Sequence, residues 1–152
     1  MTLEVPSAMK LIYISGALTG INALKELQVF YESLAHLCEE LGALVYVPHK
    51  VTDPVNNPET SPSSVFEIDK KQVTRSDLLI AYVGYPSLGV GMELAYAEMN
   101  CIPIILLYEK GKKISRFPRG IPTIVAEIQF VSYEDALTQI QLLLKQSLSL
   151  LK

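Results

Sequence analysis

Leu78-Leu79-Ile80-Ala81-Tyr82-Val83 runs through Gly84-Tyr85-Pro86-Ser87 into Leu88-Gly89-Val90-Gly91-Met92-Glu93-Leu94-Ala95-Tyr96-Ala97-Glu98, and this stretch decides the fold. The first six residues are apolar, as a strand covered on both faces should be. The last eleven carry Leu94, Ala95 and Ala97 in a helical pattern. A buried strand feeding a helix through a glycine-rich turn is the repeating unit of an α/β protein. Glycines in such a turn let backbone N–H groups approach a ligand closely. Glu93 is expected in the first helical turn, where the positive end of the helix dipole favours an ionised carboxylate.

Working outward, the same alternation repeats. Leu11 to Ser15 reads as a strand ending at Gly16, and Asn22 to Leu41 as a helix stopped by Gly42. Leu44 to Val47 reads as a strand ended by Pro48. Residues 50 to 63 hold Pro54, Pro58 and Pro62 and form an irregular loop long enough to be a lid or binding loop. Ser63 or Ser64 is expected to cap a helix through Arg75, with Glu67 completing a capping box with Ser64. Asp77 to Val83 is the third strand, with Asp77 in a turn or capping role, and Leu88 to Asn100 the next helix. Ile102 to Tyr108 is the fourth strand, 109 to 122 a second mobile loop, Glu127 to Tyr133 a fifth strand and Tyr133 to Leu151 a terminal helix.

Alternating strands and helices imply one α/β domain over residues 1–152, a three-layer, flavodoxin- or Rossmann-like sandwich with a five-stranded parallel sheet. In that architecture ligands bind beyond the carboxyl ends of the strands, where strand order reverses. The turns at Gly16–Gly20 and Gly84–Gly91 are then neighbours, and a pocket is expected between them.

Composition narrows the class. The chain has 152 residues, 49% of them hydrophobic, and a net charge of -3. No basic stripe exists to neutralise nucleic-acid phosphates. The start, MTLEVPSAMK, does not read as a secretory signal, and no apolar run is long enough to span a bilayer. Cys38 and Cys101 are far apart and lack metal-ligand spacing, and His36 and His49 are scattered. Cytoplasmic residence with reduced thiols and no metal site is expected.

Three motifs together, Tyr13-Ile14-Ser15-Gly16, Asp69 eight residues before Asp77, and Ser87-Leu88-Gly89-Val90-Gly91-Met92-Glu93-Leu94, resemble the nucleoside 2-deoxyribosyltransferase family. The resemblance covers residues 10 to about 120 and is nearest to the branch of 2'-deoxynucleoside 5'-monophosphate N-glycosidases. It implies that Glu93 is the nucleophile that attacks the anomeric carbon of a 2-deoxyribose. The chemistry is sound: a departing base leaves positive charge at that carbon, and an adjacent carboxylate stabilises and then bonds it. The intermediate is resolved by water in a hydrolase or by a second base in a transferase, without metal or organic cofactor.

By the same resemblance Asp69 is the second acid, positioning substrate and delivering a proton to the leaving base, and Tyr13 orients the nucleophile. Taken without the family, Glu93 is a helix-start acid, Asp69 a surface acid pairing with Lys70 or Arg75, and Tyr13 plain core. Gly16, Ala17 and Leu18 in the first turn, with Gly89 and Gly91 in the other, would face the substrate. Ser87 matches the N-glycosidase branch, where many deoxyribosyltransferases acting on free nucleosides have an aspartate, and a neutral hydroxyl tolerates a nearby phosphate.

Against this, Ala17 and Thr19 stand where the monophosphate hydrolases have a serine and an arginine. Lys50 or the cluster Lys110, Lys112, Lys113, Arg116 and Arg119 could supply the missing charge. His49 aligns with a histidine near the substrate base. Ser115 and Phe117 resemble positions that reach into a neighbouring subunit's site, which implies a homodimer or larger homo-oligomer.

The terminal helix agrees, since Leu142, Leu143 and Leu150 lie off the stripe formed by Leu137, Ile140, Leu144, Leu148 and Leu151. A fully packed helix would explain them equally. Two other readings compete. A phosphoribohydrolase of the cytokinin-activating type would show PGGxGT, which is absent here. A non-catalytic nucleotide-binding module would need no coincidence of Glu93, Asp69 and Tyr13. A dinucleotide site is disfavoured because no GxGxxG follows the first strand.

Overall fold

The computed structural model describes residues 11–52, 54 and 56–149, with side chains described through 146. Five parallel strands, β1 (Leu11–Ser15), β2 (Leu44–Tyr46), β3 (Leu78–Tyr82), β4 (Ile104–Glu109) and β5 (Ile124–Phe130), form one sheet in the order β2-β1-β3-β4-β5. Helices α1 (Leu24–Glu40), α2 (Pro62–Arg75), α3 (Leu88–Met99), α4 (Arg116–Arg119) and α5 (Tyr133–Ser149) complete it, with a 3-10 turn at Pro48–Lys50. The expected doubly wound order is therefore present, with the reversal between β1 and β3.

Strand alternation divides the core into two layers. Ile12, Ile14, Ile80, Tyr82, Ile105 and Leu107 face α1 and α5, where Leu27, Phe30, Leu34, Ile140 and Leu144 cover them. Tyr13, Leu79, Ala81, Ile104 and Leu106 face the other way, against Val73 of α2 and Val90, Leu94 and Ala97 of α3. Every residue of β3 is buried, as its unbroken apolar run required. Asp77 ties the sheet at its start, its Oδ2 accepting from the Leu11 backbone N–H at 2.9 Å.

Several boundaries differ from the expectations, each for a local reason. Helix α1 spans Leu24–Glu40, and Gly42, with φ of +94°, turns the chain away as expected. Helix α2 starts earlier than Ser63 or Ser64, because Pro62 takes its first position and Ser61 caps it by accepting from the Ser64 N–H at 3.2 Å. Ser64 is thus inside the helix and cannot serve a capping box with Glu67. Strand β4 begins after Pro103, which has no N–H to give a ladder.

Strand β5 lies three residues earlier than expected, since Ile124 and Ala126 pair with β4. Ser132 then accepts from the Asp135 N–H at 3.1 Å as α5 begins. The segment 109–122 is not simply a loop: it contains α4, and Arg119 pairs with Glu127 at 3.0 Å. On α5, Leu143 packs against the core and only Leu142 is exposed off the stripe, so the surplus apolar face reduces to one described residue. Leu148 lies where side chains are not described, and Leu150 and Leu151 lie outside the described residues.

Candidate active site

Glu93 is in the second turn of α3, not the first, because Ser87 is the cap and Leu88 the first helical residue. The helix dipole fades within one turn, so it does not govern this carboxylate. Two strand hydroxyls do. Tyr13 donates to Glu93 Oε1 at 3.0 Å, and Ser15 donates to Oε2. Both residues are fully buried on β1, two apart and hence on one face of the sheet. Strand β1 borders β3 in register, Ser15 beside Ala81, and α3 follows β3, which is how residues 80 positions apart meet.

Asp69 of α2 has its own hydroxyl pair. Tyr46 donates to Oδ1 at 2.9 Å, and Thr52 donates to the same carboxylate at 3.1 Å. Tyr46 is the register partner of Tyr13 across β1 and β2. Asp69 therefore faces inward, and is not the surface acid pairing with Lys70 or Arg75 that the sequence left open. Lys70 lies instead over the rings of Phe66 and Tyr96, 5.2 and 4.9 Å from their centroids.

Both carboxylates line one cleft of about 520 Å³ between α2, α3 and the proline-rich loop, a volume suited to a small organic ligand. Pro54, Pro58, Val65, Phe66, Met92 and Tyr96 make its apolar wall, and Thr52, Lys70 and Gly89 add polar or open positions. Among the described residues Lys70 is the one cation lining it.

Burial raises the Glu93 carboxyl to about 7, and the nearby Asp69 charge adds to that, while the Ser15 and Tyr13 hydroxyls pull the other way. Burial also raises Asp69, opposed by Tyr46 and Thr52. Burial, and then the Glu93 charge, push the Tyr13 hydroxyl far above its ordinary value, so it stays a neutral donor. The site thus holds two carboxyl groups whose protonated forms burial favours, one of them, Glu93, gripped at both oxygens.

The other expected site residues scatter. Ser87 does not line the cleft; it caps α3, accepting from the Val90 N–H at 3.3 Å. Gly89 lines the cleft, and Gly91, two residues further along α3, is exposed and outside the lining. Both glycines are inside α3 and not in the turn before it. Gly16 has a packing reason, because a Cβ there would fall 2.2 Å from the Tyr31 ring, whose hydroxyl donates to the Ala17 carbonyl at 3.1 Å. Ala17 is buried, and Leu18 packs against the α1/α5 layer.

His49 is buried outside the cleft lining, its Nε2 2.8 Å from Glu32 of α1. Ser115 is the residue before α4, and Phe117 is 93% exposed. Of the basic candidates, Lys112 contacts Glu109 at 3.2 Å and the Gly84 carbonyl at 3.1 Å, and Lys50 is exposed away from the cleft lining. Among the described residues no group of three or more His, Cys, Asp or Glu side chains converges as a metal site would require.

Sequence reasoning missed Ser15, Tyr46 and Thr52 as carboxylate partners. Ser15 had a signal, since a polar residue two after Tyr13 in a buried strand must share its face. Tyr46 and Thr52 had none, because strand register and loop path are not written in local pattern.

Comparison with known proteins agrees with this architecture. Residues 10–106 match the family model described as "Domain of unknown function (DUF4406)". A protein of Thermofilum pendens named "Putative 2'-deoxynucleoside 5'-phosphate N-hydrolase 1" is 34% identical over 129 residues, 82% of this chain and 85% of its own. One of the same name from Methanosarcina mazei is 34% identical over 142 residues, covering 90% and 85%. Among solved structures, the Clostridium botulinum CMP N-glycosidase BcmB superposes with a TM-score of 0.66 at 23% identity, over 87% of this chain and 98% of that one. The Bacillus psychrosaccharolyticus 2-deoxyribosyltransferase gives 0.61 at 20%, over 83% and 89%, so both share the fold. With a family model over residues 10–106 and relatives at 34% identity matched over more than four-fifths of both chains, the chain belongs to the nucleoside 2-deoxyribosyltransferase family, among relatives that bear the 2'-deoxynucleoside 5'-phosphate N-hydrolase name.

Proposed function

We propose that this protein is an N-glycosidase that cleaves the bond between base and sugar in a 2'-deoxynucleoside or its 5'-monophosphate. The observation that carries this reading is Glu93, held at both oxygens by Tyr13 and Ser15 in a cleft it shares with Asp69. A Glu93 oxygen bonds to the anomeric carbon as the carbon–nitrogen bond breaks. The electron pair leaves on the base nitrogen, and protonated Asp69 supplies the proton. Water then bonds to the same carbon, the Glu93 ester bond breaks, and the water proton returns to Asp69. A second base in place of water would give transfer. The hydrolytic version is favoured by the names of the relatives at 34% identity.

The surface supports assembly as a homo-oligomer. Leu88, Met92, Ala95 and Met99 form an exposed apolar stripe on α3 beside the cleft, and Phe117 is exposed nearby in sequence to Ser115. A helix apolar on its outer face is normally covered. Ser115 and Phe117 would then complete a partner's site. Among the described residues no helix is long and apolar enough to cross a membrane. Free Cys38 and Cys101 are consistent with a reducing cytoplasm.

The test is incubation with deoxynucleosides and their 5'-monophosphates, with and without a second free base, followed by chromatography. Free base supports hydrolysis and a new nucleoside supports transfer. Acid quenching and mass spectrometry should find a sugar adduct on the Glu93 peptide. No product from any substrate, or undiminished turnover in Glu93→Ala, would overturn the reading.

A further inference from the structure

Ser15 is a fully buried hydroxyl in the last position of β1, and its side chain hydrogen-bonds only to Glu93 Oε2 among the contacts described. Burying a hydroxyl is costly unless it is matched by a hydrogen bond, and a charged acceptor makes that bond strongest. Its strand neighbour is Ala81, small enough to leave space for the carboxylate between β1 and α3. Tyr13 already holds Oε1, so one hydroxyl would suffice to keep the side chain from rotating. The second hydroxyl has a different consequence: it grips the other oxygen and gives the buried anion a second donor from the protein.

We propose that Ser15 is a positioning residue that keeps the Glu93 carboxylate ionised and aimed at the sugar. The inference rests on Glu93 acting as the nucleophile, and it assigns to Ser15 the nucleophile's readiness near neutral pH. The groups that face Glu93 define the balance. Tyr13 of β1 donates to it, and Asp69 of α2 repels its charge. Tyr46 of β2 and Tyr31 of α1 are neutral phenols within its field, and Lys70 is the cation in the same cleft. Of these only Tyr13 and Ser15 hydrogen-bond to it. A serine hydroxyl also rotates freely, whereas a phenol O–H is confined near its ring plane. When the sugar takes one carboxylate oxygen, that oxygen must give up its donor. Ser15 can turn aside from Oε2 as the new bond forms, while Tyr13 stays on Oε1, which becomes the ester carbonyl oxygen.

The experiment is the pH dependence of kcat/KM for base release by Ser15→Ala, Ser15→Cys and Ser15→Thr, read with the Glu93 protonation state from carbon NMR of labelled glutamate. Loss of a hydrogen bond to a charged group predicts a fall of about 10- to 100-fold near neutral pH in Ser15→Ala. The acidic limb should move up by about one to two pH units, and activity should recover as pH rises. The fall should be in kcat rather than KM, with Thr restoring the wild-type limb and Cys, a weak donor, lying between. An unmoved limb, an equal loss at every pH, or an unmoved Glu93 titration in Ser15→Ala would overturn the proposal. The NMR titration needs no turnover, so it tests Ser15 even if the N-glycosidase reading fails.

Discussion

Tyr13 and Tyr46 lie side by side on adjacent strands, ring centroids 5.3 Å apart, yet their hydroxyls serve different carboxylates. Tyr13 donates to Glu93 and Tyr46 to Asp69. One register pair thus connects the two acids of the cleft, and each phenol controls one of them.

Tyr13→Phe and Tyr46→Phe should therefore have separable effects. Tyr13→Phe should raise the acidic limb of kcat/KM and lower the rate at pH 7 by about 10- to 100-fold, the value of a hydrogen bond to a charged group. Tyr46→Phe should favour protonated Asp69 and move the alkaline limb up. A double-mutant cycle in which both variants move the same limb would contradict this division.

Removal of the Glu93 charge should stabilise the fold in one direction of pH only. The carboxyl stands at about 7 in the fold against 4.5 ordinarily. Below about pH 4.5 both folded and unfolded chains hold the proton. Between 4.5 and 7 only the unfolded chain releases it, so stability falls as pH rises and levels off above 7. Glu93→Gln lacks this loss, and should gain on the order of 3 kcal/mol over wild type between pH 4 and pH 8. Asp69 shifts in the same direction but is present in both proteins. Denaturant unfolding across that range measures the difference, and parallel curves would refute it.

Asp69→Asn should leave binding and fold intact while slowing release of bases that must be protonated to depart, by about 10²- to 10⁴-fold. A substrate with a leaving group acidic enough to depart unprotonated should lose much less. Single-turnover rates for the two substrate types make the comparison.

Gly16→Ala and Gly89→Ala should act oppositely on stability. At Gly16 the new methyl would strike the Tyr31 ring, and overpacking of this kind costs about 1–3 kcal/mol. At Gly89 the nearest atom to a new Cβ is Ser87 Oγ at 3.9 Å, so the protein has room. Alanine inside α3 should then stabilise by about 1 kcal/mol over glycine while reducing kcat/KM, because the methyl enters the cleft. Thermal melts and kinetics on both variants decide it.

Much of this was legible without coordinates. The apolar run Leu78 to Val83, the glycine stop at Gly42 and the helical spacing from Leu24 to Leu37 are local patterns, and local patterns report local structure. Their alternation required a parallel sheet with helices on both faces. The family motifs singled out Tyr13, Asp69 and Glu93, and the structure brings the two carboxylates to one cleft with Tyr13 bonded to Glu93. Errors fell where a neighbour competed: Pro62 displaced the α2 cap to Ser61, and Ser87 moved Glu93 beyond the reach of the helix dipole.

The family resemblance added Tyr13, Asp69 and Glu93 as site candidates, and what local pattern by itself determined is the set of elements and their handed order. Periodicity and turn chemistry carry that information because each acts over a few residues. Only the tertiary structure decided which hydroxyl meets which carboxylate. That depends on register between β1, β2 and β3 and on the path of the proline-rich loop to Thr52. Those relations join positions up to 80 residues apart, and packing of the whole sheet sets them. It also separated His49, expected near the base, from the cleft, because Glu32 of α1 holds its imidazole elsewhere.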